Sequence, residues 1–403
     1  MSMEYKSHGL YSQQVGVHRP PLFIPYYHTY RWHVVCTRLI VSLLYNLNFK
    51  RIKRIMKKIV IFNHKGGVSK TTTTFHIGWM LADMGHKVLL VDGDPQCNLT
   101  SLFLGSDQFD RYYEEPETAA KNIKDGVSMA FEGKPTPIEA FDCPIAERNE
   151  NLYLLPGHMN LSEYEGALNF ALTATSALPS LQSLPGTFNQ LIEKVAEKYD
   201  IEYVIIDLNP ALSSINQVLF LSSDAFLIPI NPDAFAKMAL KSLSKILPRW
   251  VRWAQDNRPT FEKAVYALPD SIPLFVGVLP QKFNIRNGVA TKPYRVQIEE
   301  LEQIVAGTVF PSFKEAGMTF PSDAYREADI DEFKGLTEIK DFQGLSPKSH
   351  KHNVPVFALS DEELENSGVA RDTDKKNMET FRRLYQEACD KIIKLLNYAR
   401  EME

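Results

Sequence analysis

Two lysines five residues apart, Lys65 and Lys70, flank a glycine pair in the segment IFNHKGGVSKTTTTFHIG, residues 61–78. The common phosphate-binding loop, G-x-x-x-x-G-K-[ST], would have glycine where His64 and Ser69 stand. A loop between a buried strand and a helix presents backbone N–H groups and the positive helix end to phosphates. The segment is therefore either a degenerate nucleotide site or a phosphate-binding loop of a different pattern, in which the additional lysine has a role of its own.

The residues of this loop suit a nucleotide with its metal ion. Glycines let the backbone approach a phosphate closely and adopt unusual dihedral angles. Lys70 begins the helix and can reach the β- and γ-phosphates as a point charge, while the Thr71 hydroxyl can bind Mg²⁺. The predicted nucleotide-binding residues of the loop are Lys65, Gly66, Gly67, Val68, Ser69, Lys70, Thr71 and Thr72.

Three carboxylates follow at the ends of predicted strands. Asp92 and Asp94 end the buried run HKVLLVDGD, and Asp207 ends the apolar run YVIID. In open α/β sheets, ligands bind outside the carboxyl ends of the strands. We therefore predict a magnesium site formed by Thr71, Asp92 and Asp207, with Asp207 acting through water.

Strand and helix patterns alternate around these residues, which predicts a three-layer α/β fold with a mostly parallel, doubly wound sheet. The helix after the loop is expected to end at Gly85, and the helix from 234 is expected to end or kink at Pro248. The predicted strands are 57–64, 86–94, 151–157, 202–210, 224–232 and 273–281, and the predicted helices include 186–199, 213–223 and 234–247.

The chain divides into two predicted parts, an N-terminal extension and a main domain, and the main domain contains an insertion and a C-terminal helix. Residues 1–55 are rich in Tyr, His and Arg, and we interpret them as an N-terminal extension that is disordered or outside the native product. The regular pattern of the main domain, 56–403, begins at Met56. The charged stretch 306–375 is predicted to be a poorly packed insertion, and the amphipathic segment 377–399 a helix that packs on the domain.

Composition excludes some classes of protein. The hydrophobic fraction of 44% and the charged fraction of 23% are those of a soluble globular chain. The four cysteines are far apart and show no C-x-x-C spacing, which argues against a disulfide framework and favours a reduced, cytoplasmic setting. The apolar run 39–49 is too short to span a bilayer. The net charge of −4 alone neither favours nor excludes a nucleic-acid partner.

The segments KGGVSKTT, VLLVDGDPQCNLTSLFLG and YVIIDLNPALSSINQVLFLSSDAFLIPI resemble the deviant Walker A, Walker A′ and Walker B segments of the ParA/Soj/MinD ATPases, with ParA and Soj the nearer branch. The similarity covers residues 57 to about 285. It implies a P-loop NTPase fold, ATP and Mg²⁺ as ligands, Mg-dependent ATP hydrolysis and an ATP-dependent homodimer.

The resemblance also assigns roles to the catalytic candidates Lys65, Lys70 and Asp94. In this family the first lysine, here Lys65, reaches into the active site of the partner, and Lys70 binds the phosphates of its own ATP. The second aspartate, here Asp94, positions the attacking water. A cation delivered by a partner would couple dimerisation to hydrolysis, because phosphoryl transfer depends on neutralising phosphate charge.

One residue departs from the family pattern, and a later segment resembles the part of the family that lies near the base. Asn209 stands before Pro210 where the family usually has a second proline, which affects a loop that signals nucleotide state. The segment GVLPQKFNIRNG resembles the base-side segment of the family, so Gln281 and Asn284, with Lys282 between them, are candidates to contact adenine.

The family acts on DNA, on membranes or on other proteins. Lys237, Lys241, Lys245, Arg249 and Arg252 recur near steps of four, with Trp250 and Trp253 among them, which favours non-specific DNA binding over a solvated face. We predict a plasmid or chromosome partition ATPase with a ParB-like or other activating partner, in the cytoplasm or on the nucleoid. The alternatives are an ATPase that positions or regulates a protein assembly without DNA and, less favoured by the acidic end of the tail, a MinD-like membrane-associated ATPase.

Overall fold

The computed structural model describes residues 56–173, 181–286 and 289–401. The predicted N-terminal extension and its apolar run at 39–49 lie outside the described residues. All statements below concern the described part of the chain.

Ten strands and thirteen α-helices make up the described chain, with short 3₁₀ and π turns between some of them. The strands are β1 Lys57–Ile61, β2 Val88–Gly93, β3 Ile145–Ala146, β4 Asn149–Leu155, β5 Tyr203–Leu208, β6 Ala225–Ile230, β7 Leu274–Phe283, β8 Ile285–Arg286, β9 Val289–Ala290 and β10 Ile339–Lys340. The helices are α1 Lys70–Asp83, α2 Asn98–Leu104, α3 Ser106–Glu114, α4 Ser128–Phe131, α5 Glu165–Thr173, α6 Thr187–Tyr199, α7 Ser214–Leu221, α8 Ala234–Phe261, α9 Lys292–Ile304, α10 Phe310–Glu315, α11 Ser322–Glu327, α12 Leu345–His352 and α13 Gly368–Glu401.

Eight of the strands form one sheet in the order β10-β7-β6-β1-β5-β2-β4-β3. Every neighbouring pair is parallel except β3 and β4 at one edge. The central strands β1, β2, β5 and β6 are buried along their whole length, as their continuous apolar runs predict. The predicted mostly parallel, doubly wound sheet is therefore confirmed.

The direction of the crossovers divides the helices between the two faces. The chain moves one way across the sheet from β1 to β2 and the opposite way from β5 to β6. Right-handed crossovers then place α1 on one face and α7 on the other. The C-terminal helix α13 packs on α1, while α7 packs against α8, so the sheet is covered on both sides.

Strand register brings the ends of three strands together. Ile61, the last residue of β1, lies beside Asp207 of β5, and Asp207 lies beside Asp92 of β2. The loop that follows Ile61 therefore begins next to two carboxylates that are more than 100 residues apart in the sequence.

Helix α8 continues through Pro248 to Phe261, so the prediction that the helix ends at residue 247 is wrong. A proline within a helix leaves the carbonyl four residues earlier without its usual donor. Here that carbonyl belongs to Ser244, and it accepts a hydrogen bond from the Ser312 hydroxyl at 2.6 Å. A side chain from the region of α10 thus replaces the missing backbone N–H.

The expectation that 306–375 packs poorly is also wrong. Phe313, Met318 and Tyr325 are fully buried, and β10 pairs with β7 at the edge of the main sheet. The Val356 N–H donates to Nε2 of His76, a fully buried residue of α1, at 3.2 Å. The segment is therefore part of the domain core.

Candidate nucleotide-binding site

The loop between β1 and α1 has the backbone of a phosphate loop with an unusual residue at its end. Gly67 has φ of 73° and Ser69 has φ of 60°, so both lie in the left-handed region. For serine this conformation costs about 1–2 kcal/mol. Ser69 therefore adopts the backbone conformation that glycine has in the common loop. The replacement of glycine by serine does not by itself prevent this loop from forming.

Two buried amides hold the loop from below. The Asn63 carbonyl oxygen accepts from the Lys65 N–H at 3.0 Å while its amide donates to the Pro229 carbonyl at 2.9 Å. At the other end of the loop, the Gln281 amide donates to the Val68 carbonyl at 3.0 Å and to the Thr73 hydroxyl at 2.9 Å. These contacts attach the loop to the carboxyl ends of β6 and β7.

The candidate base contacts lie in different surroundings. Gln281 is 2% exposed and its amide is used beneath the loop, which makes it a brace for the loop. Asn284 is exposed between β7 and the β8–β9 hairpin, and its carbonyl accepts from the Thr291 N–H at 3.0 Å. The assignment of either residue to adenine stays a prediction.

The two lysines point to different partners. Lys70 is buried at the start of α1, and its Nζ lies 3.4 Å from the Lys65 carbonyl oxygen. Burial lowers the pKa of Lys70, whereas the nearby carboxylates of Asp207 and Asp94 raise it. The Lys65 ammonium instead forms an ion pair with Asp233, at the start of α8. The loop therefore holds one lysine inside and turns the other away.

Asp207 and Thr71 form the pair expected of a magnesium site. The Thr71 hydroxyl donates to Oδ2 of Asp207 at 2.6 Å. Asp207 is fully buried, and its Oδ1 has no hydrogen-bond partner among the described residues. Burial and the adjacent Asp92 carboxylate raise the pKa of Asp207 well above its ordinary value. A divalent cation would favour the ionised form and use the free oxygen.

The donor set fits a cation shared with a nucleotide. Among the described residues there is no cluster of three or more His, Cys, Asp or Glu side chains able to hold a metal ion. Mg²⁺ commonly takes one or two protein oxygens and completes its shell with waters and substrate phosphates. Thr71 and Asp207 are oxygen donors of this kind.

Asp92 is less available than its position in the sequence indicates. Its Oδ2 accepts from the N–H of Thr100 at 2.8 Å and from the Thr100 hydroxyl at 2.7 Å, and its Oδ1 accepts from the Asp94 N–H at 3.2 Å. Burial raises the pKa of Asp92 to about 6. Both oxygens thus support the turn after β2, which makes Asp92 a weaker candidate ligand than Asp207.

Asp94 lies in the turn after β2 that Asp92 supports. Its Oδ1 accepts from the Gln96 N–H at 2.9 Å, and the residue is 6% exposed. This position at the carboxyl edge of the sheet is compatible with the expected role in orienting water.

Several buried polar atoms around the loop have no partner among the described residues. Besides Asp207 Oδ1, they are His64 Nδ1, Ser69 Oγ and Asn231 Oδ1. Buried polar groups are normally hydrogen-bonded, and an unsatisfied group calls for an explanation such as a bound ligand. The concentration of such atoms at one loop supports a ligand site there.

Asn209 closes the loop after β5. Its side-chain oxygen accepts from the Ala211 N–H at 2.7 Å and from the Asn216 amide at 3.0 Å. The Asn216 amide also donates to the carbonyls of Asn209 and Ala211. These bonds fix a turn where the family usually relies on proline.

Two residues near the loop were missed in the sequence. The Asn231 amide donates to the Gly67 carbonyl at 3.1 Å. Asp233 caps α8 through its Oδ1, which accepts from the N–H groups of Phe235 and Ala236, both at 2.9 Å. An aspartate directly before an apolar helical run is a recognisable N-cap signal, but it does not predict the contact with Lys65.

The five predicted DNA-binding residues lie along α8, and one of them, Lys237, already has an acidic partner. Lys237 forms an ion pair with Glu300 of α9. The other four residues are exposed and have no acidic partner among the described residues; they are Lys241, Lys245, Arg249 and Arg252. At 100° per residue they fall within about 80° on one side of the helix. We call these four residues the cationic face.

The two tryptophans of this segment differ in burial. Trp250 is 6% exposed and packs against Phe62 and Phe220, with ring centroids 6.0 and 5.8 Å away. The idea that Trp250 is an aromatic neighbour for DNA is therefore wrong, because this ring belongs to the core. Trp253 is half-buried against Phe261.

No helix in the described ranges is both long and apolar enough to cross a bilayer.

A parallel sheet with a phosphate loop after its first strand, and a carboxylate bonded to the threonine behind the lysine, defines a P-loop nucleotide-binding protein. A family model described as an AAA domain matches residues 56–257, which is half of the chain. The chain belongs to this family, within the ParA/MinD type of P-loop ATPases.

Individual relatives are distant. The sporulation initiation inhibitor protein Soj of Bacillus subtilis is 31% identical over 191 residues, covering 47% of this chain and 63% of Soj. The chromosome partitioning protein ParA of Caulobacter vibrioides is 26% identical over 216 residues, covering 53% of this chain and 70% of that protein. A putative replication protein A of Rhizobium rhizogenes is 28% identical over 210 residues, covering 51% of this chain and 48% of that protein. The matched segment spans 48% to 70% of the length of these three curated relatives.

Among solved structures, apo McdA from Cyanothece aligns over 83% of this chain and 99% of its own, with 20% identity and a TM-score of 0.49. A putative plasmid partition protein from Borrelia burgdorferi bound to AMPPNP aligns over 81% of this chain and 98% of its own, with 17% identity and a TM-score of 0.48.

Proposed function

We propose that this chain is an ATPase that dimerises with ATP and uses the nucleotide state to switch its binding to DNA, as in plasmid or chromosome partition. The observation that carries the proposal is the separation of the two lysines. Lys70 is buried beside Asp207 and Asp94, while Lys65 lies on the outer side of the loop against Asp233. We infer that Lys70 serves the ATP of its own chain and that Lys65 can serve a second chain once it leaves Asp233.

The residues divide the chemistry between them. The N–H groups of the loop and the Lys70 ammonium bind the β- and γ-phosphates and offset their charge. Asp94 orients the attacking water and Lys65 of the second chain stabilises charge on the γ-phosphate. Thr71 and Asp207 would hold Mg²⁺, which supplies further charge neutralisation when bound. Without ATP, two cationic loops repel one another, so the nucleotide controls dimerisation.

The cationic face supports DNA as the surface on which the switch acts. It joins four exposed cations on one long helix that begins at the nucleotide site. A dimer would present two such faces, and two linked weak contacts bind far more tightly than one. We also propose an activating partner protein and a cytoplasmic location in contact with the nucleoid.

A DNA-binding measurement tests this proposal. Anisotropy of a labelled non-specific duplex is followed with ATP, ADP and no nucleotide over a salt series. We expect binding with ATP alone, and a salt slope that falls by about 0.9 for each phosphate contact removed. Lys241→Glu/Lys245→Glu is expected to lose binding by at least about tenfold while the dimer persists.

The matched control carries the same charge change elsewhere. Lys376 and Lys394 are exposed on α13, and Lys376→Glu/Lys394→Glu should keep most of the affinity. Equal losses in both double variants would show that net charge, and not the cationic face, governs binding. If the unmodified chain does not bind DNA at low salt with ATP, the switch acts on something else, such as a protein assembly.

A further inference from the structure

Lys65 is held within its own chain by a single carboxylate. Its ammonium forms an ion pair with Oδ2 of Asp233 and lies 5.8 Å from the centroid of the Phe235 ring. The Lys65 side chain is 20% exposed. The lysine that would serve a second chain is therefore already occupied when the chain is alone.

Asp233 divides its two oxygens between different tasks. Oδ1 accepts from the N–H groups of Phe235 and Ala236 and so caps α8, whereas Oδ2 is used by Lys65. An uncharged side chain can perform the first task, because asparagine caps helices about as well as aspartate. The ion pair with Lys65 requires the negative charge. The two tasks can therefore be separated by one substitution.

The loop before α8 grips the phosphate loop at a second point. The Asn231 amide donates to the Gly67 carbonyl at 3.1 Å, and the Asp233 N–H donates to the Asn231 carbonyl at 2.8 Å. The first turn of α8 also carries Phe235 and Met238, which are 68% and 70% exposed. The exposed side chains of Phe235 and Met238 thus form an apolar surface next to the ion pair between Lys65 and Asp233.

We propose that Asp233 is a positioning residue that retains Lys65 in its own chain and thereby sets the ATP concentration at which the chain dimerises. This inference rests on the proposed function, since it concerns the same lysine. A lysine that reaches into a partner must first leave Asp233, and the free energy of that ion pair opposes dimerisation.

The size of the effect follows from the exposure of the pair. Asp233 is 41% exposed at its side chain, so the pair is partly screened and is expected to bias each chain about 2- to 5-fold. A dimer releases two such pairs. Removing both should therefore raise the dimerisation constant by about tenfold. Because the dimer takes up two ATP molecules, the ATP concentration for half-maximal dimerisation should fall by about threefold.

The experiment is sedimentation velocity of the full chain over a series of ATP concentrations with Mg²⁺. Asp233→Asn should dimerise at about one third of the ATP concentration that the unmodified chain needs. Asp233→Ser, which also keeps a helix cap without the charge, should shift equally. Lys65→Ala provides the monomer reference.

The matched control is Glu300→Gln. It removes one negative charge beside α8, from the ion pair with Lys237, and should leave the ATP midpoint unchanged. If the unmodified chain never dimerises with ATP, the proposed function fails. If it dimerises and Asp233→Asn has the same or a higher midpoint, the retaining role of Asp233 is wrong while the proposed function stands.

Discussion

The brace beneath the phosphate loop gives a prediction whose magnitude can be derived from contacts. Gln281→Leu removes the donor to the Val68 carbonyl at 3.0 Å and to the Thr73 hydroxyl at 2.9 Å. Thr73 is fully buried, so water does not readily replace the lost bonds. An unsatisfied buried group costs about 1–3 kcal/mol. We expect the free energy of unfolding to fall by about 2–4 kcal/mol.

Denaturant unfolding and nucleotide titration measure the two consequences together. If Gln281 acts only as the brace for the loop, Gln281→Leu should weaken ATP and GTP binding by the same factor. Asn284→Ala is the control at an exposed neighbouring position, and its stability should stay within about 0.5 kcal/mol of the parent. A Gln281→Leu variant of unchanged stability that loses its preference between ATP and GTP would refute this reasoning and make Gln281 a base contact.

Two further predictions concern contacts that the C-terminal part makes with the rest of the domain. Burial lowers the pKa of His76 to about 3. Below pH 6.5 the unfolded chain therefore takes up a proton that the folded chain excludes. As the pH falls through this range, the free energy of unfolding decreases by up to about 1.4 kcal/mol per pH unit. Unfolding of His76→Gln between pH 7 and 4 should show less of this fall, and parallel curves would contradict the assignment. Ser312→Ala should lower the free energy of unfolding, measured with denaturant, by about 1 kcal/mol. The loss should be much smaller in a Pro248→Ala background, because the helix there recovers its own N–H donor. Equal losses in both backgrounds would disprove the replacement bond at Ser244.

Local patterns were sufficient for the elements that hold the site. The buried runs before Lys65 and before Asp94 are continuous and apolar, and they form β1 and β2 as expected. Gly85 follows α1 with φ of 90°, as a helix-ending glycine should. Strand ends in a parallel sheet meet at one edge, so the approach of Asp207 to the loop also follows from local pattern with the fold class.

The errors arise where a distant residue changes the local preference. Pro248 stays inside a helix because Ser312, far along the chain, bonds to the carbonyl that the proline frees. Trp250 lies on the buried side of α8 because Phe62 and Phe220 receive its ring. The charged composition of 306–375 hides the apolar positions that pack on the domain. Composition and spacing carry no record of such partners.

The most direct test of the central claim is the mass of the chain in solution with ATP, with ADP and without nucleotide, for the unmodified chain and for Lys65→Ala. We predict a dimer with ATP alone for the unmodified chain. Lys65→Ala should bind ATP with similar affinity, stay monomeric and lose turnover. An unmodified chain that remains monomeric at saturating ATP, or a monomeric Lys65→Ala chain that hydrolyses ATP at the unmodified rate, would contradict it.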